Sequence, residues 1–258
     1  MHLLLPSYLG DGYRSHSQKT RVVTEAWGAE NFFCPNCPSN SLTPTPRGYQ
    51  AIDYICPRCE LPFQLKSKDG PIGQRVLDGA FAAMMRAILE DRTPNLFLLH
   101  YNRSFWRVRN VTLIPHFAFS PSALDKRKPL APSARRAGWT GCFINLTNIP
   151  RDARIPLVAE GCVVPRQDVR RRFDRLKSLK GIATVQRGWT LDVLRVVQSL
   201  GKPEFTNQDV YQFASELRNL HPENRHIRDK IRQQLQFLRD RRFLTQRSRG
   251  HWALTSQT

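Results

Sequence analysis

A mixed α/β core followed by a C-terminal winged helix-turn-helix is the fold class that the 258-residue sequence predicts. Three observations carry it. Strand-like segments at 51–55, 61–68, 95–101 and 111–115 accompany a helical stretch over 78–89, which is the element mixture of an α/β layer fold. Two Cys-x-x-Cys pairs are embedded among the first of these segments. The region after residue 182 reads as three helical stripes closed by a strand, a turn and a strand. The expected domains are therefore 1–182 and 183–258, in a chain long enough to bury real cores.

The cysteine pairs have the clearest spacing. Cys34-Pro-Asn-Cys37 and Cys56-Pro-Arg-Cys59 are eighteen residues apart, which suits a four-thiolate zinc ribbon. The two-residue gap lets both sulfurs of a pair reach one ion, and proline after the first cysteine favours the tight knuckle this requires. Two disulfides or a redox motif are the competing readings. No secretory signal accompanies the pairs, and a single redox motif would not explain two matched ones. A four-thiolate zinc leaves no open position for a water, so the Zn²⁺ is expected to be structural. Cys142 and Cys162 stand alone in apolar surroundings and are expected to be small buried hydrophobes.

The segments on either side of the second pair carry the candidate chemistry. Ala51–Ile55 is rich in β-formers, and Leu61–Lys68 alternates, so that Gln64, Lys66 and Lys68 share one face and Phe63 and Leu65 the other. An acid, Asp53, followed after ten residues by Gln64-x-Lys66 has the form of a PD-(D/E)XK nuclease motif. That chemistry needs an acid and a second oxygen ligand to hold Mg²⁺, with a lysine beside the attacking water. By spacing alone a solvated edge strand explains the triplet better, since such a pattern arises often by chance. The helical stretch over 78–89 and the strands at 95–101 and 111–115 favour the nuclease core.

Lys and Arg number 40 and Asp and Glu 21, a net charge of +19. Such an excess points to a polyanion, with nucleic acid favoured over an anionic membrane because the basic residues are interleaved with aromatic and apolar ones. No run approaches the roughly 18 apolar residues of a membrane span, so no span, no membrane partner and a cytoplasmic location are expected. From Lys126 to Trp139 there are five basic residues and no acid, with prolines at 129 and 132 that keep the run out of a helix. The expected extended loop offers Arg135 and Arg136 to a phosphate backbone. Trp139 after Gly138 is either a base contact or an ordinary core tryptophan. Residues 166–180 hold seven basic and two acidic residues and read as a solvated, charged helix or linker.

In the C-terminal domain Trp189, Val193, Val196, Val197 and Leu200 form the first stripe, ended by Gly201. Thr206 and Asp209 form a capping-box pair before a second stripe of Val210, Phe213, Leu217 and Leu220. Ile227, Ile231, Leu235 and Leu238 make the third, whose other faces carry Arg228, Lys230, Arg232 and Gln233. A third helix of this kind enters the major groove, where Arg can grip guanine and Gln can pair with adenine.

At Cys34–Cys37, Leu65–Lys68, Asp78–Ala80, Arg127–Pro132, Arg135–Trp139, Arg187–Thr190 and Ile231–Leu235 the chain resembles the DpnI family of restriction endonucleases. The resemblance implies a type II enzyme that cuts double-stranded DNA at GATC carrying N6-methyladenine, blunt between A and T, with both domains reading the methylated site. It implies a PD-(D/E)XK catalytic domain with its zinc site, then the winged helix. Asp53, Gln64 and Leu65 would serve Mg²⁺, Lys66 the water, and Trp139 the methylated adenine. The family has an acid where this chain has Gln64. An amide oxygen still ligates Mg²⁺ but adds no charge, so the implied affinity is lower. The alternative is a catalytically inactive methyl-DNA reader or regulator. Oligomeric state is left open, a monomer being compatible with the sequence.

Overall fold

The computed structural model describes residues 1–46, 48–49 and 51–255. In chain order the elements are α1 (His16–Asn31), β1 (Thr43–Pro44), β2 (Tyr54–Ile55), β3 (Pro62–Asp69), β4 (Arg75–Ala80), α2 (Phe81–Leu89), β5 (Asn95–Asn102), β6 (Arg107–Ile114), β7 (Leu124–Lys126) and β8 (Gly141–Asn145). They continue with β9 (Ile155–Ala159), β10 (Cys162–Val163), α3 (Arg166–Leu176), α4 (Thr184–Ser199), β11 (Glu204–Thr206), α5 (Asn207–Tyr211), α6 (Ala214–Leu220), α7 (Ile227–Asp240), β12 (Leu244–Ser248) and β13 (His251–Leu254). Among the described residues no helix is long and apolar enough to cross a membrane.

Two compact units interleave along the chain. The first comprises Met1–Gln74, Arg92–His116 and Asp152–Lys177. Its seven-stranded sheet runs β1-β2-β3-β5-β6-β9-β10, antiparallel except for the parallel pair β3 and β5. Helix α1 has too few apolar positions to announce itself in the sequence. It seats on the sheet through Val23 and Trp27, both fully buried, and through the glycine at 28. A Cβ at Gly28 would come within 2.3 Å of the Tyr54 hydroxyl, so glycine lets Tyr54 Oη reach the Glu25 carbonyl at 2.8 Å. Behind it the rings of Phe32 and Phe97 stack at 4.0 Å and those of Phe97 and Phe63 at 5.3 Å, while Trp27 and Tyr54 meet Phe32 edge-on. These rings are buried and form the core under β2 and β3.

The stretch 166–180 forms a helix over Arg166–Leu176, as one of its two readings had it, but it is not simply solvated. Helix α3 buries Val169, Phe173 and Leu176, and its arginines 166 and 170 lie over the ring of Phe33 at 5.1 and 5.4 Å. The expected strand over 51–55 is confined to Tyr54–Ile55, and the strand expected at 111 begins already at Arg107.

The second unit gathers Arg75–Asp91, Phe117–Arg151 and the chain from Ser178 onward. The helix expected over 78–89 starts only at Phe81. Residues 75–80 pair instead with β8, in a three-stranded sheet ordered β4-β8-β7. Glycine at 79 weakens any helix there, and the pairing supplies the backbone partners a helix would otherwise provide. Cys142 is buried in β8 as expected, whereas Cys162 of the first unit is exposed.

The three C-terminal stripes fold as read, with one break. Helix α4 is followed by Leu200 and then by Gly201 at φ +66, the second stripe divides into α5 and α6, and α7 buries Ile227, Ile231, Leu235 and Leu238. The hairpin β12–β13 gains a third strand, β11, in the order β11-β13-β12 that completes a winged helix. Buried polar contacts bind α4 to the rest of its unit. Arg187, 1% exposed, donates to Asp91 at 2.7 Å. Asp192, fully buried, accepts from Ser122 Oγ at 2.6 Å and bonds His221 Nε2 at 2.8 Å. Gln198 accepts the backbone N–H of Arg151 at 2.6 Å. Burying a charge costs several kcal/mol unless partners replace water, so these pairs specify how α4 seats.

The capping box is present in full. Thr206 Oγ1 accepts from the Asp209 N–H at 3.3 Å, and Asp209 accepts the Thr206 N–H at 2.7 Å. The Thr206 N–H, helped by Lys202, draws the Asp209 carboxyl down to about 2. Thr206→Ala is expected to lower the unfolding free energy by about 1 kcal/mol, read as an earlier urea midpoint; an unchanged midpoint would remove the box from the fold's stability.

Candidate functional site

The four cysteines 34, 37, 56 and 59 converge. All four sulfurs lie within 4.8 Å of one another, with Cys34–Cys59 and Cys37–Cys56 each at 3.5 Å. Thiolates at about 2.3 Å from a zinc stand about 3.8 Å apart in a tetrahedron, so the donor set fits a structural Zn²⁺. No pair is a disulfide among the described residues. The second knuckle is itself the turn between β2 and β3. Cys56 N–H bonds the Leu61 carbonyl and Glu60 N–H the Cys56 carbonyl, both at 3.0 Å, with Glu60 at φ +58. The first knuckle, directly after α1, is held from α3. Arg170 donates to the carbonyls of Cys34 and Ser39, and Lys177 Nζ to that of Asn36. Burial raises the Cys34 thiol. At Cys56 burial pushes the same way, yet the N–H groups of Arg58 and Cys59 outweigh it and bring the thiol down to about 7.

The knuckle delivers Asp53. Tyr54 pairs with Phe63 and Ile55 with Pro62, which brings Asp53, the residue before β2, alongside the start of β3. The ladder does not stop there. Asp53 N–H bonds the Phe63 carbonyl at 2.8 Å, and the Asp53 carboxylate then accepts the Leu65 N–H at 2.7 Å, taking the place of the next strand carbonyl. On the other edge of β3, Gln64, Leu65 and Lys66 pair in parallel with Leu96, Phe97 and Leu98. Gln64 and Lys66 are half-buried, whereas Phe63 and Phe97, stacked on each other, are fully buried on the opposite face. The structure thus brings Asp53, Gln64, Leu65 and Lys66 to adjoining strands of one unit, with the cysteine cluster at the end of the same hairpin.

Asp53 also lines an open cavity of about 330 Å³. Arg21 and Glu25 of α1 share that lining, paired with each other at 2.6 Å, together with Tyr13 and Tyr49. The bond to Glu25, and secondarily the charge of Asp53, raise the Arg21 guanidinium further. Burial, then Glu25 and Asp53, hold the Tyr54 phenol far above its usual range. Neither Arg21 nor Glu25 stands out in the sequence. The i,i+4 spacing of opposite charges is visible there, but such pairs are common on exposed helices and say nothing of a strand thirty residues on.

The second unit holds the remaining candidates in two places. The basic segment is a closed excursion between β7 and β8 rather than an extended loop. Arg127 N–H bonds the Gly141 carbonyl, Leu130 N–H the Trp139 carbonyl, and Gly138 N–H the Leu130 carbonyl. Gly138 turns the chain at φ +75. Arg135 and Arg136 are exposed, and the Arg136 guanidinium lies 4.8 Å over the half-buried ring of Trp139. On α7, Arg228, Arg232 and Gln233 are exposed and Lys230 Nζ donates to Gln233 at 2.7 Å. Nothing in the sequence marks Tyr211 of α5 as their neighbour. Its hydroxyl accepts from Arg232 at 3.3 Å, its ring lies 5.3 Å beneath Arg228, and Asp229 completes the grip on Arg232. The guanidiniums on α7 are therefore partly ordered before any ligand arrives.

Family models match the chain over almost its whole length. The DpnI model, described as the Dam-replacing family, covers residues 1–182, and the model of the Dam-replacing HTH domain covers residues 185–253. The first spans the cysteine cluster and the Asp53 hairpin, and the second spans α4 through β13. The chain belongs to the DpnI, or Dam-replacing, family, a restriction-endonuclease family, and carries that family's helix-turn-helix domain at its C-terminal end.

Proposed function

We propose that the protein is a methylation-dependent type II restriction endonuclease. Its substrate is double-stranded DNA carrying N6-methyladenine in GATC, cut bluntly between A and T by Mg²⁺-dependent hydrolysis. The observation that carries the reading is the hairpin on which Asp53, Gln64 and Lys66 adjoin, in a chain of the DpnI family. Residues 1–182 are the catalytic domain in this reading and 183–258 the reading head, and the DNA being cut is cytoplasmic.

The oxygen donors suit a hard cation: the Asp53 carboxylate, the Gln64 amide oxygen and the Leu65 main-chain carbonyl. Bound there, Mg²⁺ supplies neutralisation of the charge that develops on the phosphate. Leu65 N–H occupies one lobe of Asp53, which orients the carboxylate toward its remaining partner. Gln64 contributes an oxygen without charge. Lys66, on the same strand face, holds the attacking water in line with the phosphodiester and accepts part of the charge of the transition state. Zn²⁺ in the four-cysteine cluster serves as a fixed hinge for the hairpin. Arg135, Arg136 and Trp139 contact DNA from the basic excursion, and Arg228, Lys230, Arg232 and Gln233 from α7, with guanidiniums suited to guanine O6 and N7. A catalytically silent reader of methylated DNA is the second reading, favoured by Gln64 alone.

Plasmid DNA from a methylating host is expected to be cut in the presence of Mg²⁺, and the same plasmid from a non-methylating host to survive. Lys66→Ala should abolish cutting while methylated duplex is still retarded in gels; undiminished cutting would take Lys66 out of the mechanism. Methylated plasmid that stays intact although it is tightly bound by the wild-type chain would establish the reader instead. Gln64→Glu restores the missing charge and is expected to lower the Mg²⁺ concentration for half-maximal cutting about tenfold, some 1.4 kcal/mol of metal affinity. An unchanged or higher requirement would show that Gln64 is no metal ligand.

A further inference from the structure

A larger cavity in the first unit is bordered by Leu65 but does not include Asp53, Gln64 or Lys66 in its lining. It has a volume of about 480 Å³ and lies where the carboxyl ends of the parallel strands β3 and β5 meet the first turns of α1. Open α/β sheets place their ligands at that end of parallel strands. Three cations line it, and two of them, Lys68 and Arg103, are not taken up by Glu25 as Arg21 is. Lys68 Nζ donates to the Pro71 carbonyl at 2.9 Å, and the Arg103 guanidinium to Nδ1 of His16. Neither is ion-paired with a carboxylate among the described residues. Of the two acids of the lining, Glu25 is paired with Arg21 at 2.6 Å, and Asp69 accepts the Arg103 backbone N–H at 3.0 Å and keeps its charge, which leaves the three cations of the lining one in excess. The rest of the polar lining is hydroxyl: Thr20 bonds Tyr101 at 3.0 Å and Thr24 bonds Ser67 at 3.1 Å.

We propose that this cavity binds a phosphate of the DNA backbone outside the recognised sequence. An oxyanion supplies what Lys68 and Arg103 lack, and a guanidinium can meet two phosphate oxygens at once. The imidazole of His16, unlike a carboxylate, holds Arg103 in place without cancelling its charge. Lys68 stands two residues beyond Lys66 on β3, about 7 Å along the strand, and successive phosphates of one DNA strand advance about 3.4 Å along the axis. Lys66 itself is not part of the lining, to which β3 also gives Leu65 and Ser67 of the opposite face, so the phosphate held here lies past the end of the strand and is not the scissile one. The inference rests on the nuclease reading and extends it to flanking DNA, which the cavity would hold irrespective of sequence.

The test uses the full chain carrying Lys66→Ala, so that DNA stays intact, with and without Lys68→Ala and Arg103→Ala together. Affinity for a methylated GATC duplex is measured from about 50 to 200 mM salt by fluorescence anisotropy, on a duplex with long flanks and on one with minimal flanks. On the long duplex the double change is expected to reduce the slope of log affinity against log salt by about one for each cation removed, and to leave the short duplex unaffected. Arg103→Lys, which keeps the charge, should retain most of the slope, which separates the site from a folding defect. Equal slopes for parent and double variant on both duplexes would overturn the inference while leaving the nuclease reading in place. A parent that binds no methylated duplex would overturn both. Equal slopes combined with inorganic phosphate raising the melting temperature of the parent and not of the double variant would make the cavity a small-anion site and overturn its assignment to DNA.

Discussion

One hydrogen bond organises the first unit: the Asp53 carboxylate accepting the Leu65 N–H at 2.7 Å. It exists because β2 and β3 are paired in a single register, and that register is set by the turn that joins them. The turn is the second cysteine knuckle. Its two sulfurs meet the pair from the chain just after α1, so one cluster ties helix, hairpin and, through Arg170 and Lys177, helix α3. A shift of β2 by one residue would send Asp53 to the other face of the sheet. Structural metal chemistry and candidate catalytic chemistry are therefore two ends of one short hairpin, and the zinc we assign to the cluster acts on the reaction only through geometry.

Much of this was legible because it is local. Cysteine spacing, the alternation of 61–68 and the stripes of α4 and α7 are each written within a few residues, and the capping box of Thr206 and Asp209 is present in full. What escaped is non-local. Helix α1 buries Thr24, Asn31 and Gly28 beside only a few apolar side chains, so its pattern carries little periodic signal. The strand at Arg75–Ala80 exists because β8, sixty residues later, pairs with it. Arg21, Glu25 and Tyr211 become neighbours of the candidate residues only through packing. The charged stretch at 166–180 misleads for a related reason: its apolar residues Val169, Phe173 and Leu176 are outnumbered by the arginines, yet they are the ones that seat it. Cys162 shows the reverse, an isolated cysteine in an apolar run that nonetheless lies on the surface.

Chain order and packing also divide the molecule differently. A boundary near residue 182 follows the change from strands to helical stripes, and the family models meet there as well. Packing groups 75–91 and 117–151 with the winged helix, because Asp91, Ser122 and Arg151 supply the partners of Arg187, Asp192 and Gln198. The basic excursion bearing Trp139 thus belongs to the same compact unit as α7. The charge follows suit: residues 183–258 hold 13 basic and 7 acidic side chains, and the larger share of the +19 lies before them. Basic residues that serve the fold, such as Arg170 on the cysteine loop and Arg187 on Asp91, account for part of that excess. The exposed cations on α7 and in the excursion, with those facing the cavity at Lys68, are the part left for phosphate.

The dependence of Asp53 on the cysteine cluster is open to a direct measurement, hydrogen exchange of the backbone amides before and after metal is stripped with a chelator. Loss of the metal is expected to speed exchange across residues 53–66, the Leu65 amide included, with α4 and α7 of the winged helix retaining their protection. Unchanged protection of the Leu65 amide in metal-free protein would contradict the coupling of the cluster to Asp53.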